Sequence, residues 1–413
     1  MKHSATLAIN EKIAARRAQG QRVVHLGFGE AGLPVLPAVA EALRAATAQN
    51  AYGPVAGSRR ARESAAGYYD RRGLPTDPGR IVFAPGSKAL LYGVLASLPG
   101  DVVLPTPSWV TYAAQAVLTG KRVVRVRVPE GAGGVPDPEL LDHAVEQGRR
   151  DGADPRILVV TLPDNPTGTA AGADLVKRVC EIADRHQLVI VSDEIYRDLT
   201  YHQDEHLSPS VLLPERTVVT SGLSKNMALG GWRIGYARLP DGKLGDQLAD
   251  HLVGVASEVW SSLATPMQSA AAYVLDEPDE VTSHIASSRR LHAAISHSVY
   301  EVFIEAGAVC RKPNAAFYMY PDLSHLRSTL AAKGISTGEG FADLLLERHG
   351  IAVLAGEHFG DDRWAYRFRV ATSLLYGETD EQRWEALYSE DPARLPWIAD
   401  QLTHLRSALA ALR

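Results

Sequence analysis

Short apolar runs alternate with longer amphipathic stretches along most of the chain. The runs are rich in Val and Ile, and most are followed within a few residues by Gly, Pro, Asn or Asp, which is typical of buried strands in a parallel sheet. The stretches between them predict helices, such as 87–98, which begins at a Ser cap and ends before Pro99. The predicted strands are 80–84, 101–104, 122–128, 156–162, 188–192 and 217–220. This alternation predicts an α/β fold with a mainly parallel sheet.

The pattern changes near residue 285. A long helical stretch at 287–306 is followed by short strand patterns at 315–320, 351–354 and 365–370, and the chain from residue 379 onward reads as helical. We therefore expect a second, smaller α+β domain. The predicted division is an N-terminal arm that forms part of the small domain (1–45), a large domain (46–285) and a C-terminal small domain (286–413).

Composition narrows the class of protein. The 413 residues, 46% of them hydrophobic, can bury a core without disulfide or metal support. A net charge of −5 argues against nucleic-acid binding, and the two cysteines form neither a disulfide framework nor a metal site of zinc spacing. No apolar run is long enough to span a membrane, and residues 1–19 lack the apolar core of a secretory signal. We expect a soluble, cytoplasmic enzyme without a metal.

Polar segments follow four of the predicted strands. In open parallel sheets, ligands bind outside the carboxyl ends of the strands. An amide, a carboxylate with a phenol, a lysine and a helix N-terminus should therefore meet at one edge of the sheet. The four segments are 163–168, 193–196, 221–225 and 86–88.

The sequence Gly-Leu-Ser-Lys-Asn-Met-Ala-Leu-Gly-Gly-Trp-Arg-Ile-Gly at 222–235 resembles the lysine signature of the class I/II aminotransferases. These are fold-type I enzymes that use pyridoxal 5′-phosphate (PLP). The other polar segments occur in the order and at the spacing of that family, and the resemblance covers roughly residues 20–390. It implies the fold-type I PLP-dependent transferase fold, with a mainly parallel sheet in a large PLP-binding domain and a smaller α+β domain.

The resemblance also assigns the central residues. Lys225 would bond covalently to PLP and later carry a proton, and a lysine beside other cations can have the lowered pKa that this requires. Asp193 would pair with the protonated ring nitrogen and so keep the ring electron-withdrawing. Tyr196 and Asn165 would hydrogen-bond the ring oxygen.

Phosphate binding is implied for a second group of residues. The turn Gly86-Ser87-Lys88 opens a helix, whose free N–H groups favour anions, and Arg233 offers a guanidinium that matches phosphate oxygens. Where many relatives carry a hydroxyl, three residues before the lysine, this chain has Gly222, so Ser221 or Ser224 would replace it.

Three further residues complete the cofactor and substrate site. Trp109 resembles the aromatic residue that stacks on the PLP ring. Tyr52, in Tyr-Gly-Pro-Val-Ala-Gly, resembles the tyrosine that reaches the phosphate of a neighbouring subunit, which implies a homodimer with shared sites. Gly29 lies in a segment that resembles the substrate loop, although Ala-Gly at 31–32 replaces the usual Pro-Asp.

The substrate α-carboxylate is assigned to an arginine near the C-terminus. Counting back from Ala-Thr-Ser at 371–373 selects Arg367. Arg369 is the alternative, since it shares a strand face with Arg367 by alternation. Asn165 would also contact the substrate.

These assignments predict an aminotransferase that moves an amino group between an amino acid and a 2-oxo acid. The main alternative is another PLP reaction on the same fold, such as elimination, replacement, cyclisation or oxidation of an amino acid, including S-adenosylmethionine. A DNA-binding regulator and a non-catalytic relative are disfavoured, the first by the net charge and the second by the presence of Lys225, Asp193 and Arg233.

Overall fold

The computed structural model describes residues 5–202 and 206–412. The strands are β1 Val24–His25, β2 Ile81–Pro85, β3 Asp101–Thr106, β4 Val123–Arg127, β5 Pro155–Thr161, β6 Val189–Asp193, β7 Thr217–Gly222, β8 Ile234–Arg238, β9 Tyr318–Met319, β10 Ile351–Ala352, β11 Leu354–Ala355 and β12 Phe368–Ala371. The helices are α1 Ala5–Ala18, α2 Pro37–Ala46, α3 Arg59–Asp70, α4 Ser87–Ser97, α5 Val110–Leu118, α6 Pro138–Arg150, α7 Ala173–Arg185, α8 Pro209–Leu212, α9 Leu223–Asn226, α10 Gly242–Val259, α11 Thr265–Leu275, α12 Asp279–Glu305, α13 Arg327–Ala331, α14 Gly338–His349, α15 Asp380–Tyr388 and α16 Pro396–Ala410.

A seven-stranded sheet in the order β2-β8-β7-β6-β5-β3-β4 forms the centre of the molecule. Its strands run parallel except β8, which pairs antiparallel with β2 and β7. The six predicted strands lie within two residues of β2 to β7, so the mainly parallel sheet is confirmed. The antiparallel strand β8 was not predicted, and its first two residues, Ile234 and Gly235, fall inside the lysine signature.

Helices cover both faces of this sheet. Val218 and Val219 are neighbours on β7 and pack into different cores, as the alternation of a strand requires. Val218 packs with residues of α4, α5 and α10, and Val219 packs with residues of α3 and α11. Farther along the sheet, the second face is covered by α6 and α7. The carboxyl ends of β5, β6 and β7 are thereby left as the open edge.

A second core forms from the C-terminal third of the chain. It contains residues of β9, β11, β12, α12, α14, α15 and α16. The N-terminal segment joins this core, because β1 pairs with β10 and Leu26 packs there. The proposed boundary near residue 285 falls inside α12, which packs Ile285 on the large core and Leu291 on the second. The domain division itself stays a prediction.

Candidate active site

A cavity of about 290 Å³ lies at the carboxyl ends of β5, β6 and β7, where the second core meets the sheet. Side chains from segments that are far apart in sequence surround it. Ten of the residues predicted from the sequence line it: Gly29, Ser87, Lys88, Trp109, Asn165, Asp193, Tyr196, Ser224, Lys225 and Arg233.

Lys225 lies at the centre of the cavity. It belongs to the short helix α9, directly after β7, and its ammonium donates to the backbone carbonyl of Gly29. Its Nζ is 5.9 Å from the ring centres of Tyr196 and Phe317. Burial lowers the pKa of Lys225 to about 8, with a further contribution from the charge of Arg369. A substantial fraction of this amine is therefore uncharged in mildly alkaline solution.

Asp193 ends β6 and is buried. Its Oδ2 accepts a hydrogen bond of 2.8 Å from the hydroxyl of Tyr112, which also lies 2.9 Å from Thr161 Oγ1. Its Oδ1 is buried and has no partner in hydrogen-bond geometry within residues 5–202 and 206–412. Burial raises the pKa of Asp193 to about 6. A buried carboxylate with one free oxygen is suited to a cationic N–H donor.

Tyr196 and Asn165 both line the cavity, and each contacts a further polar side chain there. The hydroxyls of Tyr196 and Tyr318 are 2.8 Å apart, and burial raises the pKa of Tyr196 well above its usual range, so this phenol stays neutral. Arg369 donates to Asn165 Oδ1 over 3.4 Å. The cavity thus offers a neutral hydroxyl, an amide and a guanidinium next to Lys225.

Positively charged side chains lie at the end of the cavity next to the N-terminus of α4. Ser87 is the first residue of α4, and Gly86 before it has φ of 88°, a conformation that favours glycine. Any side chain at position 86 would also collide with the Arg233 guanidinium. Burial, followed by the charge of Arg233, lowers the pKa of Lys88. Two cations beside a helix N-terminus make this end suitable for an anion.

The structure also places the remaining cofactor candidates. Trp109 lines the cavity at the start of α5, with Lys88 Nζ 5.4 Å from its ring centre and Tyr112 packed edge-on at 5.3 Å. Ser224 lines the cavity, whereas Ser221 is buried in β7 and does not. Tyr52 lies outside the cavity with 94% of its surface exposed.

The structure places Arg367 outside the cavity. Its guanidinium lies in a separate groove, in ion pairs with Asp322 and Asp361, both at 2.9 Å. The alternative, Arg369, lines the cavity and is only 1% exposed. The two arginines share a strand face, but Arg367 precedes β12 and two distant carboxylates hold it outside.

Arg369 is buried without an acidic partner among the described residues. It donates to the Gly27 carbonyl at 2.7 Å, and the ring centres of Tyr318 and Phe359 lie 5.4 and 5.2 Å from its guanidinium carbon. Its Nε is buried without a hydrogen-bond partner in the same part of the chain. Burying an arginine in this way is costly, unless a carboxylate from outside the chain completes the site.

Comparison with known proteins identifies the family. The profile of the family "Aminotransferase class I and II" matches residues 21–381. The chain belongs to this family. The family prediction made from the sequence is thereby confirmed.

Individual relatives of this aminotransferase chain are similar over nearly their whole length. An aspartate aminotransferase of Geobacillus stearothermophilus is 32% identical over 394 residues, which cover 92% of this chain and 95% of the relative. An aspartate/prephenate aminotransferase of Thermus thermophilus is 32% identical over 365 residues, covering 87% of this chain and 89% of the relative. These matches support aminotransfer over the alternative PLP reactions.

Solved structures agree with this assignment. The aspartate aminotransferase of Thermus thermophilus with maleate superposes with a TM-score of 0.81 at 30% identity. The alignment covers 94% of this chain and 96% of that one. The predicted fold class is therefore confirmed for this aminotransferase. No helix in the described ranges is long and apolar enough to cross a membrane.

Several residues that line the cavity were not selected from the sequence, although most of them carried a signal. Tyr112 follows Trp109 by three residues on a predicted helix, a spacing that places both on one face. Thr161 ends β5, the strand that leads to Asn165, and this position at the strand end was a signal as well. Phe28 directly precedes Gly29 in the segment that resembles the substrate loop, whereas nothing in the sequence surroundings of Tyr318 indicates the cavity.

Asp164, next to Asn165, gives a prediction about stability. It is fully buried, its Oδ2 accepts from the Thr167 hydroxyl at 2.6 Å, and burial raises its pKa to about 7. Since the unfolded chain releases this proton near pH 4, the folded state should lose stability as pH rises from 4 to 7, by on the order of 4 kcal/mol. Asp164→Asn should remove this loss, so the variant should be the more stable protein at pH 8.

Urea unfolding at pH 5 and pH 8 measures this effect. The control is Asp174→Asn, which replaces a carboxylate whose side chain is 96% exposed. The control should follow the wild type at both pH values. An Asp164→Asn variant with the same pH dependence as the wild type would show that Asp164 titrates normally.

Proposed function

We propose that this protein is a PLP-dependent aminotransferase that passes the amino group of an amino acid to a 2-oxo acid, with Lys225, Asp193 and Arg369 as its central residues. One observation carries the proposal: these three side chains meet in one cavity, and each is chemically incomplete there. Lys225 has a lowered pKa, Asp193 keeps a free buried oxygen, and Arg369 has no acidic partner within the described chain. PLP would supply the partners of Lys225 and Asp193, and the carboxylate of an amino acid would supply the partner of Arg369.

The residues present fit PLP at both of its polar ends. Asp193 Oδ1 offers a buried acceptor for the ring N–H, and this contact would keep the carboxylate ionised. At the other end, Ser87 N–H, Lys88 and Arg233 would bind the phosphate, and Ser224, which lines the cavity, is a candidate to add a hydroxyl. When bound, PLP supplies an aldehyde that accepts amino groups and a ring that withdraws electrons from the substrate Cα.

Lys225 would act as nucleophile and proton carrier. Its pKa of about 8 gives a usable population of the neutral amine, which attacks carbonyl carbon. Because the Gly29 carbonyl accepts from its ammonium, the side chain is held on one side of the cavity. From there Nζ would take the proton from the substrate Cα and pass it to the cofactor.

Arg369 and Asn165 would bind the substrate α-carboxylate. A guanidinium holds a carboxylate through two parallel hydrogen bonds, and the free Nε of Arg369 leaves one edge of its fork available. Asn165 Oδ1 fixes the guanidinium plane, and its amide nitrogen is free to donate to the ligand. This anchoring orients the Cα–H bond toward Lys225.

Two aromatic residues would hold the cofactor ring. Trp109 would stack on it, and the neutral hydroxyl of Tyr196 would donate to the ring oxygen in place of its present contact with Tyr318. Tyr112 would have an indirect part, since its hydroxyl fixes the Asp193 carboxylate. Gly29 leaves room for the Tyr318 hydroxyl, because any side chain at position 29 would collide with it.

We also propose a homodimer and a cytoplasmic location. Tyr52 is 94% exposed beside a groove that Trp232, Arg233 and Trp260 line, so it is free to reach a second copy of the chain. Exposed tyrosine next to tryptophan is typical of interfaces. The two cysteines, Cys180 and Cys310, are free thiols, which suits a reducing compartment.

The absorbance spectrum of the PLP-loaded protein tests the proposed reaction. A donor amino acid should convert the visible band to a near-ultraviolet band, and a 2-oxo acid should restore it. Aspartate is the first donor to add, because the named relatives are aspartate aminotransferases. A visible band that returns without a 2-oxo acid would instead indicate elimination or replacement. If the protein shows no visible band after incubation with PLP, the proposed PLP binding is refuted.

A further inference from the structure

A buried polar network lies behind the cavity and uses none of the residues assigned to the reaction. Its centre is Asp198, which follows Tyr196 by two residues. Asn226, directly after Lys225, donates to Asp198 Oδ2 at 2.8 Å, and Tyr68 donates to both carboxylate oxygens at 3.0 and 3.1 Å. Arg72 completes the network with a hydrogen bond of 2.9 Å to Asp198 Oδ1. The carboxylate thus connects the turn that carries Tyr196 to the turn that carries Lys225.

The helix that bears Lys225 cannot hold its own position. Helix α9 has four residues and lacks a side-chain hydrogen bond at its N-cap. So short a helix is unstable by itself and depends on its surroundings. Asn226 is its last residue and is 4% exposed, and its bond to Asp198 joins α9 to the turn at 197–199. This bond therefore restricts the backbone position of Lys225, from which its side chain extends into the cavity.

Asp198 is itself held firmly. Arg72 lies 3.5 Å from the Tyr68 ring centre and also binds Glu277, so the guanidinium is fixed from two sides. Burial would raise the pKa of Asp198, but the charge of Arg72 and the hydrogen bond from Asn226 keep it below the usual range. The carboxylate is therefore ionised and provides a strong, rigid acceptor for Asn226.

We propose that Asp198 and Asn226 are positioning residues for Lys225, and that their hydrogen bond sets the distance between the lysine amine and Tyr196. The inference rests on the proposed function, since it concerns the lysine that would bond to PLP. The charged groups that act on Lys225 are Arg369, Glu30, Arg233 and Asp193. Asp198 is not one of them, so it affects Lys225 through position.

Three variants test the bond. Asn226→Ala removes the donor, and Asn226→Asp sets two carboxylates against each other. The double variant Asp198→Asn, Asn226→Asp restores a donor and an acceptor with the roles exchanged. Both single variants should lower kcat by about 10- to 100-fold, with KM for the amino acid changed less than about threefold. The pH midpoint of the visible band of loaded protein should move by about half a unit or more. The double variant should recover most of both effects.

The control is Tyr376→Phe, which removes a buried hydroxyl bonded to His292 in the second core. It should lower Tm as a lost buried hydrogen bond does, and leave the pH midpoint unchanged. Single variants with the wild-type midpoint and kcat would overturn the positioning role, as would a double variant no better than Asn226→Asp. If the wild type shows no visible band with PLP, the proposed function fails first.

Discussion

Replacement of Arg369 by lysine is expected to lower kcat/KM for the donor amino acid by about 30- to 150-fold, chiefly through a higher KM. The guanidinium is buried beside Lys225 with a free Nε, and lysine cannot form the two parallel hydrogen bonds that hold a carboxylate. The loss of a hydrogen bond to a charged group corresponds to about 2 to 3 kcal/mol. The KM for the 2-oxo acid should rise as well, since it presents the same carboxylate.

Arg367→Lys is the matched control, because it makes the same replacement two residues away. Arg367 is in ion pairs with Asp322 and Asp361 outside the cavity, so its kcat/KM should stay within about twofold of the wild type. Steady-state kinetics with the donor that the spectra identify measures both variants. If Arg367→Lys lowered kcat/KM more than Arg369→Lys does, the carboxylate would be bound by Arg367, as the sequence predicted.

Lys225→Ala is expected to lower kcat by at least about 10⁴-fold and to abolish the visible band. The variant loses the nucleophile and the proton carrier together, whereas the Arg369 and Asp193 side chains remain. Absorbance spectra measure the loss of the band, and steady-state assays measure the loss of kcat. Far-ultraviolet circular dichroism checks that the fold is kept. A variant that retains the band would assign the covalent bond to another amine.

The same variant tests the shared active site. Lys225→Ala should regain activity when it is mixed with Tyr52→Phe and the subunits are allowed to exchange. About half of the resulting dimers are then heterodimers, and each heterodimer has one site in which both residues are native. Lys225→Ala mixed with Arg369→Lys should gain nothing, since those two residues line one cavity of the same chain. No gain with Tyr52→Phe would show that Tyr52 does not complete a neighbouring site.

The sheet and the residues at its edge were predictable because both follow from short-range patterns. The strands β2 to β7 are rich in apolar residues, and Asn165, Asp193 and Lys225 lie within a few residues of a strand end. Parallel strands bring such ends together whatever the details of packing.

Arg369 and Tyr318 could not be selected in this way. Strand alternation places Arg367 and Arg369 on one face, and the difference between them depends on Asp322 and Asp361. Those two carboxylates are distant in sequence and adjacent only in the folded chain. Tyr318, on β9, and Tyr196, which follows β6, are likewise distant in sequence and adjacent only in the folded chain. Contacts of this kind depend on how one core packs on the other, which no local pattern encodes.

The long helix α12 limits how the cavity can change shape. Its 27 residues contain neither Gly nor Pro, and at 1.5 Å per residue it is about 40 Å long and is embedded in both cores. Sliding of one core past the other would break these buried contacts. A substrate bound both to Lys225, at the edge of the sheet, and to Arg369, on β12 of the second core, would add a further connection between the two cores.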